Sequence, residues 1–246
     1  MTGLTIVSLN TRGLPLFGSA LRTRYTAIAE AFEKSLVDVV NLQEVLTYRH
    51  LHLLRRSMPS YRTNFRPSAA GPAGGLVTFT RHPAVGTRYR RFPAAPTTAG
   101  LRRRARLDAR LKGVLFTRLP GLTVLNTHLL ANHDGDWSTA NRYYPIHHAQ
   151  LTALTQYAGS VEGPMVLAGD FNIARDTDLY RDFLRSSGLV DAFGDDCPPT
   201  FHQAYLRPGQ PAHCIDFILL SNLTAESAHT DANYPSDHLG LEIRAK

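Results

Sequence analysis

A chain of 246 residues with 43% apolar and 19% charged residues is long enough for a substantial core and has the composition of a folded protein, which excludes general disorder. The formal charge of +7 at pH 7 points to an anionic partner: nucleic acid, an acidic membrane surface or a phosphorylated substrate. Only Cys197 and Cys214 are present, so no disulfide scaffold is expected; the two can pair, but the expectation is two free thiols in a cytoplasmic protein, or a secreted protein if a leader has been trimmed. No run approaches ~18 consecutive apolar residues, so no membrane span is predicted.

The first predicted element, Leu4-Thr5-Ile6-Val7-Ser8-Leu9-Asn10, is β-branched and apolar, a central strand ending on the carboxamide of Asn10 at a sheet rim. Gly13 to Gly18 reads as a loop. Arg22 to Ser35 places Tyr25, Ile28, Ala29 and Phe32 at helical spacing, which predicts an amphipathic helix on the sheet. Val37 to Glu44 repeats the first pattern and ends in an acid. A lone Glu after a strand is usually a surface residue, and the apolar residues before Glu44 are what place it at the rim beside Asn10. Leu46 to Arg56 reads as a helix, Pro59 to Pro72 as a long connection, and Gly74 to Thr80 as a strand closed by Arg81-His82-Pro83. Val85 to Phe92 is the next strand. Residues 101 to 110 carry five arginines, including Arg102 and Arg103. They read as a solvated loop or charge-guarded edge strand, or else as a phosphate-binding patch.

Lys112 to Thr117 and Leu122 to His128, separated by Pro120-Gly121, predict an antiparallel hairpin whose second strand presents Asn126 and His128 on one face. A histidine there is either a satisfied structural residue or a catalyst. Trp137, the sole tryptophan, lies in a polar segment from which it stacks on a substrate, enters an interface or packs into the core. His147, Leu151, Leu154 and Ala158 follow helical spacing, with His147 and His148 as surface or packing residues. Met165 to Ala168 is a buried strand running into Gly169-Asp170-Phe171-Asn172; an extended course would send Asp170 and Asn172 to one side and Phe171 into the core. Asp176 or Thr177 caps a helix that ends at Gly188. An irregular stretch around Cys197 to His202 precedes the buried strand Cys214 to Leu220, which carries Asp216, and a last strand begins at Ser236-Asp237-His238.

Hairpins interspersed with helices, without regular strand–helix–strand repetition, predict two packed mixed β-sheets flanked by helices: an α/β sandwich, one domain over residues 1–246. Six strand ends then carry Asn10, Glu44, Asn126 with His128, Asp170 with Asn172, Asp216, and Asp237 with His238. Hard oxygen ligands, histidines and amide donors together are what Mg²⁺-assisted attack of water on phosphorus requires. Zinc-type spacings and Gly-rich phosphate loops are missing, which argues against structural zinc, kinases and dinucleotide oxidoreductases.

From Leu4 to about Leu241 the chain resembles the endonuclease/exonuclease/phosphatase superfamily with its four-layer DNase I-like α/β fold. The resemblance rests on Ser8-Leu9-Asn10, Gln43-Glu44-Val45, Asn126-Thr127-His128, Gly169-Asp170-Phe171-Asn172, Ile215-Asp216-Phe217 and Ser236-Asp237-His238 in family order. It implies Mg²⁺, with Mn²⁺ as a substitute, held by Glu44 with Asn10 and Asp237. It also implies that Asp170 and Asn172 orient the water and the phosphate, that His238 is the general base with Asp216 orienting it, and that His128 acts on the oxyanion or leaving oxygen. Asn126, Lys112, Arg102, Arg103 and Trp137 are the expected substrate and phosphate contacts. Gly74-Gly75-Leu76-Val77, Lys112-Gly113 and Pro199-Thr200-Phe201 are closest in spacing to neutral sphingomyelinase-like phosphodiesterases. The chain departs from many relatives in having Cys214 where they carry Arg, and it lacks an apolar hairpin. The implied substrate is a phosphodiester, a sphingomyelin-like phospholipid or another small diester, met by a monomer that contacts an anionic membrane. The alternatives are a DNA or RNA nuclease of the same superfamily and an inactive phosphate-binding module.

Overall fold

The computed structural model of the chain describes residues 3–14, 20–206 and 208–246; most of the expected Gly13 to Gly18 loop lies outside the described residues. One six-stranded sheet runs β11 (Ala225–Asp231), β12 (Gly240–Ala245), β1 (Leu4–Asn10), β2 (Val39–Gln43), β4 (Val77–Thr80), β3 (Arg62–Asn64). The other runs β5 (Gly86–Arg91), β6 (Gly113–Leu119), β7 (Leu122–His128), β8 (Met165–Asp170), β10 (Asp216–Ser221), β9 (Val190–Asp191). Parallel pairing of β1 with β2 and of β7 with β8 makes both sheets mixed.

Ile6, Val39, Val124, Val166, Ile218 and Ile243 fill the space between the sheets. α1 (Leu21–Lys34) and α2 (Tyr48–Ser57) cover the outer face of the first sheet, packing Ile28, Phe32 and Leu54 against Val7, Leu9 and Val40. α4 (Tyr144–Gly159) and α5 (Asp178–Ser187) do the same for the second sheet, with Leu154 and Phe183 against Leu167 and Phe217. The order helix, sheet, sheet, helix is the expected four-layer sandwich. No described helix is long and apolar enough to cross a membrane.

Strand alternation places the polar residues. Every second residue of the central strands faces the opposite sheet, and each such series changes character towards the same end: Ile6, Ser8, Asn10 in β1; Val39, Asn41, Gln43 in β2; Val124, Asn126, His128 in β7; Val166, Ala168, Asp170 in β8. β10 runs the other way, from Leu220 through Ile218 to Asp216. The ladders align these ends, with His128 and Asp216 both in register with Asp170. The space between the sheets is therefore dry at one end and lined with polar groups at the other.

Several expectations are corrected. The connection from Pro59 to Pro72 contains β3. The arginine-rich stretch is neither loop nor edge strand but a helix, α3 (Arg103–Leu111), because Arg, Ala and Leu are strong helix formers and Ala105 and Ala109 pack on Leu101, Leu130, Tyr143 and Ile146. The last strand begins at Gly240. Ser236 to His238 form a loop pinned by the Ser236 hydroxyl donating to Asn10 O at 2.6 Å and by a single bridge between Phe201 and His238. Edge strands β9 and β11 were not foreseen, β11 because Ala-Glu-Ser-Ala-His-Thr-Asp is too polar to signal a strand. Cys197 and Cys214, expected free, are paired across 6.3 Å between Cα atoms, which closes the loop between them. The Thr177 cap and Gly188 terminus of α5 are as expected, the latter at φ 67°.

Candidate active site

Asp170 ends β8 and is 1% exposed. Gly169 before it has φ 150°, and a Cβ there would lie 1.9 Å from Thr127 O, so only glycine lets β7 and β8 approach at this point. Asp170 Oδ2 accepts from Asn10 Nδ2 and Oδ1 from the backbone N–H of Asn172, both at 2.9 Å. Asn172 thus reaches Asp170 through a left-handed residue, φ 52°, in an Asx-type turn, not through strand alternation. Phe171 enters the core as expected. The Asn172 side chain donates to Leu129 O at 3.3 Å, and the Trp137 indole N–H to Asn172 O at 2.9 Å.

Glu44 follows β2 with φ 62°, a conformation that costs a non-glycine residue of order 1–3 kcal/mol and recurs at functional sites. Its Oε2 accepts from Gly13 N at 2.8 Å and its Oε1 lies 3.4 Å from the same Asn10 amide that serves Asp170. A Cβ on Gly13 would fall 1.8 Å from Glu44 O, so glycine is required there too. Two carboxylates converging on one neutral amide, one of them deeply buried, suit a hard divalent cation with oxygen ligands. Glu44 and Asp170 fit such an ion, and Asn10 would join them through Oδ1, which here accepts from the N–H of Arg12 at 3.0 Å. Asp237, expected as a further ligand, is engaged by Arg12 Nε at 3.4 Å, and the Arg12 guanidinium also covers the Tyr205 ring.

The two histidines face Asp170 from different sides. His238 Nδ1 lies 2.9 Å from Asp216 Oδ2, which also accepts the Thr200 hydroxyl at 2.6 Å. Thr200 Oγ1 accepts the N–H groups of Ile215 and Asp216, each at 3.0 Å, and Phe201 sets its ring edge-on to His238. His238 Nε2 is 3.8 Å from Asp170 Oδ2 and His128 Nε2 is 3.4 Å from the same atom. Burial opposes a proton on His238, but Asp216 and Asp170 outweigh it and raise its pKa to about 10. His128 is driven well below the ordinary histidine value by burial, then by the positive fields of Lys112 and His238. Burial and the neighbouring Asp216 raise Asp170 to about 7 against the pull of His238, Asn10 and Lys112.

Asp170, Asp216 and His238 also bring one ligand atom each within 4.8 Å of one another. Asp216 Oδ2 is already committed to Thr200 and to His238 Nδ1. That trio is therefore a hydrogen-bonded relay, and the cation suits the Glu44 side of Asp170.

The remaining expected contacts divide. Asn126 is fully buried, accepts from Gln43 Nε2 at 2.8 Å and donates to Leu42 O and Val77 O, so in this structure it ties the two sheets together. Lys112 is buried, 3.8 Å from Asp108, and acts on His128 and Asp170 through its charge. Arg102 and Arg103 are exposed at the start of α3, outside the hydrogen-bonded cluster. Trp137 is partly buried against the second-sheet core and braces Asn172, so packing is its role here. Thr200, Arg12 and Gly13 were missed as site residues. The polar Thr11-Arg12-Gly13 directly after Asn10 was the available signal for two of them.

The family model described as the endonuclease/exonuclease/phosphatase family matches residues 7–238. A curated Drosophila melanogaster protein bearing the name "Putative neutral sphingomyelinase" is 26% identical over 200 residues, covering 78% of this chain and 44% of that protein, so the chain spans less than half its length. Sphingomyelinase C from Streptomyces griseocarneus superposes with a TM-score of 0.74 at 19% identity over 100% of both chains. D. rerio TDP2 complexed with a single-strand DNA product does so at 0.72 and 20% identity, again over 100% of both. At these identities the structural likeness is one of fold.

Proposed function

The chain belongs to the endonuclease/exonuclease/phosphatase family, and on that premise we propose that it hydrolyses a phosphodiester through a histidine-activated water. The preferred substrate is a phospholipid-like or other small diester. The observation that carries the reading is the relay from Thr200 through Asp216 to His238, which ends beside Asp170 and opposite His128. Asp216 fixes the ring of His238 so that Nε2 faces the centre of the site. With the ring in its neutral form, that nitrogen accepts a proton from water as the oxygen attacks phosphorus and the bond to the leaving oxygen breaks. Asp170 and Asn172 orient the water and the phosphate. His128, held neutral, offers a ring N–H to the oxygen that gains charge.

Glu44, Asn10 and Asp170 would hold Mg²⁺, for which Mn²⁺ substitutes. A cation bound there supplies neutralisation of the phosphate charge. The lipid preference draws on the name of the Drosophila relative. The +7 charge favours a second reading, a nuclease.

A panel of sphingomyelin, lysophospholipids, plasmid and abasic DNA, RNA and phosphomonoesters, each with Mg²⁺ and with chelator, separates the two readings. Turnover of choline-phosphate diesters insensitive to salt supports the first. DNA cleavage that falls steeply with salt, without lipid turnover, replaces it. Phosphodiester turnover undiminished by chelator would discard the cation.

A further inference from the structure

The arginine-rich helix α3 is built inside out. A helix on the surface of a domain normally turns its bulkiest apolar residues inward. In α3 the inward residues are Ala105 and Ala109, against Leu101, Leu130, Tyr143 and Ile146, while Leu107 is 60% and Leu111 47% exposed. At 3.6 residues per turn Leu107 and Leu111 share one outer ridge, with Arg103 and Arg110 flanking it on one side and Arg104 on the other. The only acid of the helix, Asp108, faces Lys112.

From this pattern we propose that α3 is a membrane-docking helix that seats the mouth of the site on an anionic lipid surface. The partner must satisfy arginines and leucines on one face. A duplex backbone would take up the arginines and leave the leucines in water. Lipid headgroup phosphates meet the arginines while the leucines enter the acyl boundary below them. The position suits the role. α3 runs directly into Lys112, whose charge acts on His128 and Asp170, and Leu101 ahead of it packs on Leu130, two residues past His128. The inference rests on the surface of α3 and holds whichever diester the site cleaves.

The test is flotation of the full chain with phosphatidylcholine vesicles, with and without phosphatidylserine, beside turnover of soluble bis(p-nitrophenyl) phosphate. Binding should require phosphatidylserine. Leu107→Ser with Leu111→Ser should weaken it about tenfold or more while circular dichroism and turnover of the soluble diester stay unchanged. Arg104→Ala and Arg110→Ala should each weaken it about fivefold. Vesicle binding indifferent to the two leucines overturns the proposal. So does absence of vesicle binding with duplex DNA binding that the arginine variants abolish, which would make α3 a nucleic-acid surface. If the wild type leaves the soluble diester intact, the hydrolytic reading fails while the flotation result still decides the role of α3.

Discussion

His238 and His128 approach the same oxygen of Asp170, at 3.8 and 3.4 Å, and both are buried, yet their protonation is pushed in opposite directions. The difference lies in what stands behind each ring. Behind His238 is Asp216, itself fixed by Thr200; near His128 is the ammonium of Lys112. Burial alone would strip the proton from both, so the second neighbour decides which ring carries charge. One site thereby holds a histidine fit to take and keep a proton and another fit to remain a neutral donor. Separating titratable groups in this way is how a single cluster supports acid and base steps.

The sharpest way to break this contrast is to remove each ring. His238→Ala should lower turnover by about a thousandfold, within the range for loss of a general base, while His128→Ala, which removes a donor to developing charge, should cost about a hundredfold. Single-turnover kinetics on a small diester would measure both. Equal losses would mean that the two rings do not hold the distinct roles assigned to them. Asp216→Asn keeps the shape and removes the charge behind His238. We expect about a hundredfold loss of turnover with cation affinity nearly intact. A large loss of affinity by calorimetry would make Asp216 a ligand instead.

The strand ends behind these predictions were legible because alternation and buried runs fix which residues leave a sheet at its rim. Asn10, Glu44, Asp170, Asp216 and His128 reach the ends of their strands in that way. Depth along a strand was not legible. Asn126 shares a face with His128, but it sits two residues further in and is taken up by the backbone of β2 and Val77. Thr200 had a signal only in the family-like Pro199-Thr200-Phe201, and its role was not legible because it depends on a loop folding back onto Asp216, closed by Cys197 and Cys214. Asn172 meets Asp170 through a left-handed turn, where alternation along an extended strand was expected. In α3 the arginines hid the alanine spacing that makes the segment a helix.

A third histidine tests whether burial without a carboxylate has the effect ascribed to it. His147 is fully buried, its Nε2 lies 2.8 Å from Leu130 O, and burial lowers its pKa from 6.5 to about 4 against the small opposing pull of that bond. Above pH 6.5 the ring is neutral in both folded and unfolded chains and nothing is lost. Below it the unfolded chain takes up a proton that the folded one refuses, so stability falls with pH until about 4, where the loss levels off. By pH 5 that loss is ~2 kcal/mol. Urea denaturation at pH 7 and pH 5 should show a smaller drop for His147→Phe than for the wild type by about this amount. Equal drops would place a proton on the buried ring and remove burial as the common cause in all three histidines.

The smallest effect probes the support behind His238. Thr200→Val keeps the side-chain shape but removes the bond to Asp216 Oδ2 and leaves the N–H groups of Ile215 and Asp216 without their acceptor. Asp216 would then hold its charge with less control over direction, so the Nε2 of His238 points less well at the water. Turnover should fall about tenfold with KM nearly unchanged, because orientation acts on the reacting step and not on substrate binding. Thr200→Ser, which restores the hydroxyl, should recover most of the rate. If Thr200→Val matches the wild type, packing alone aims the Asp216–His238 pair, and the contrast with His128 is one of charge without a positioning component.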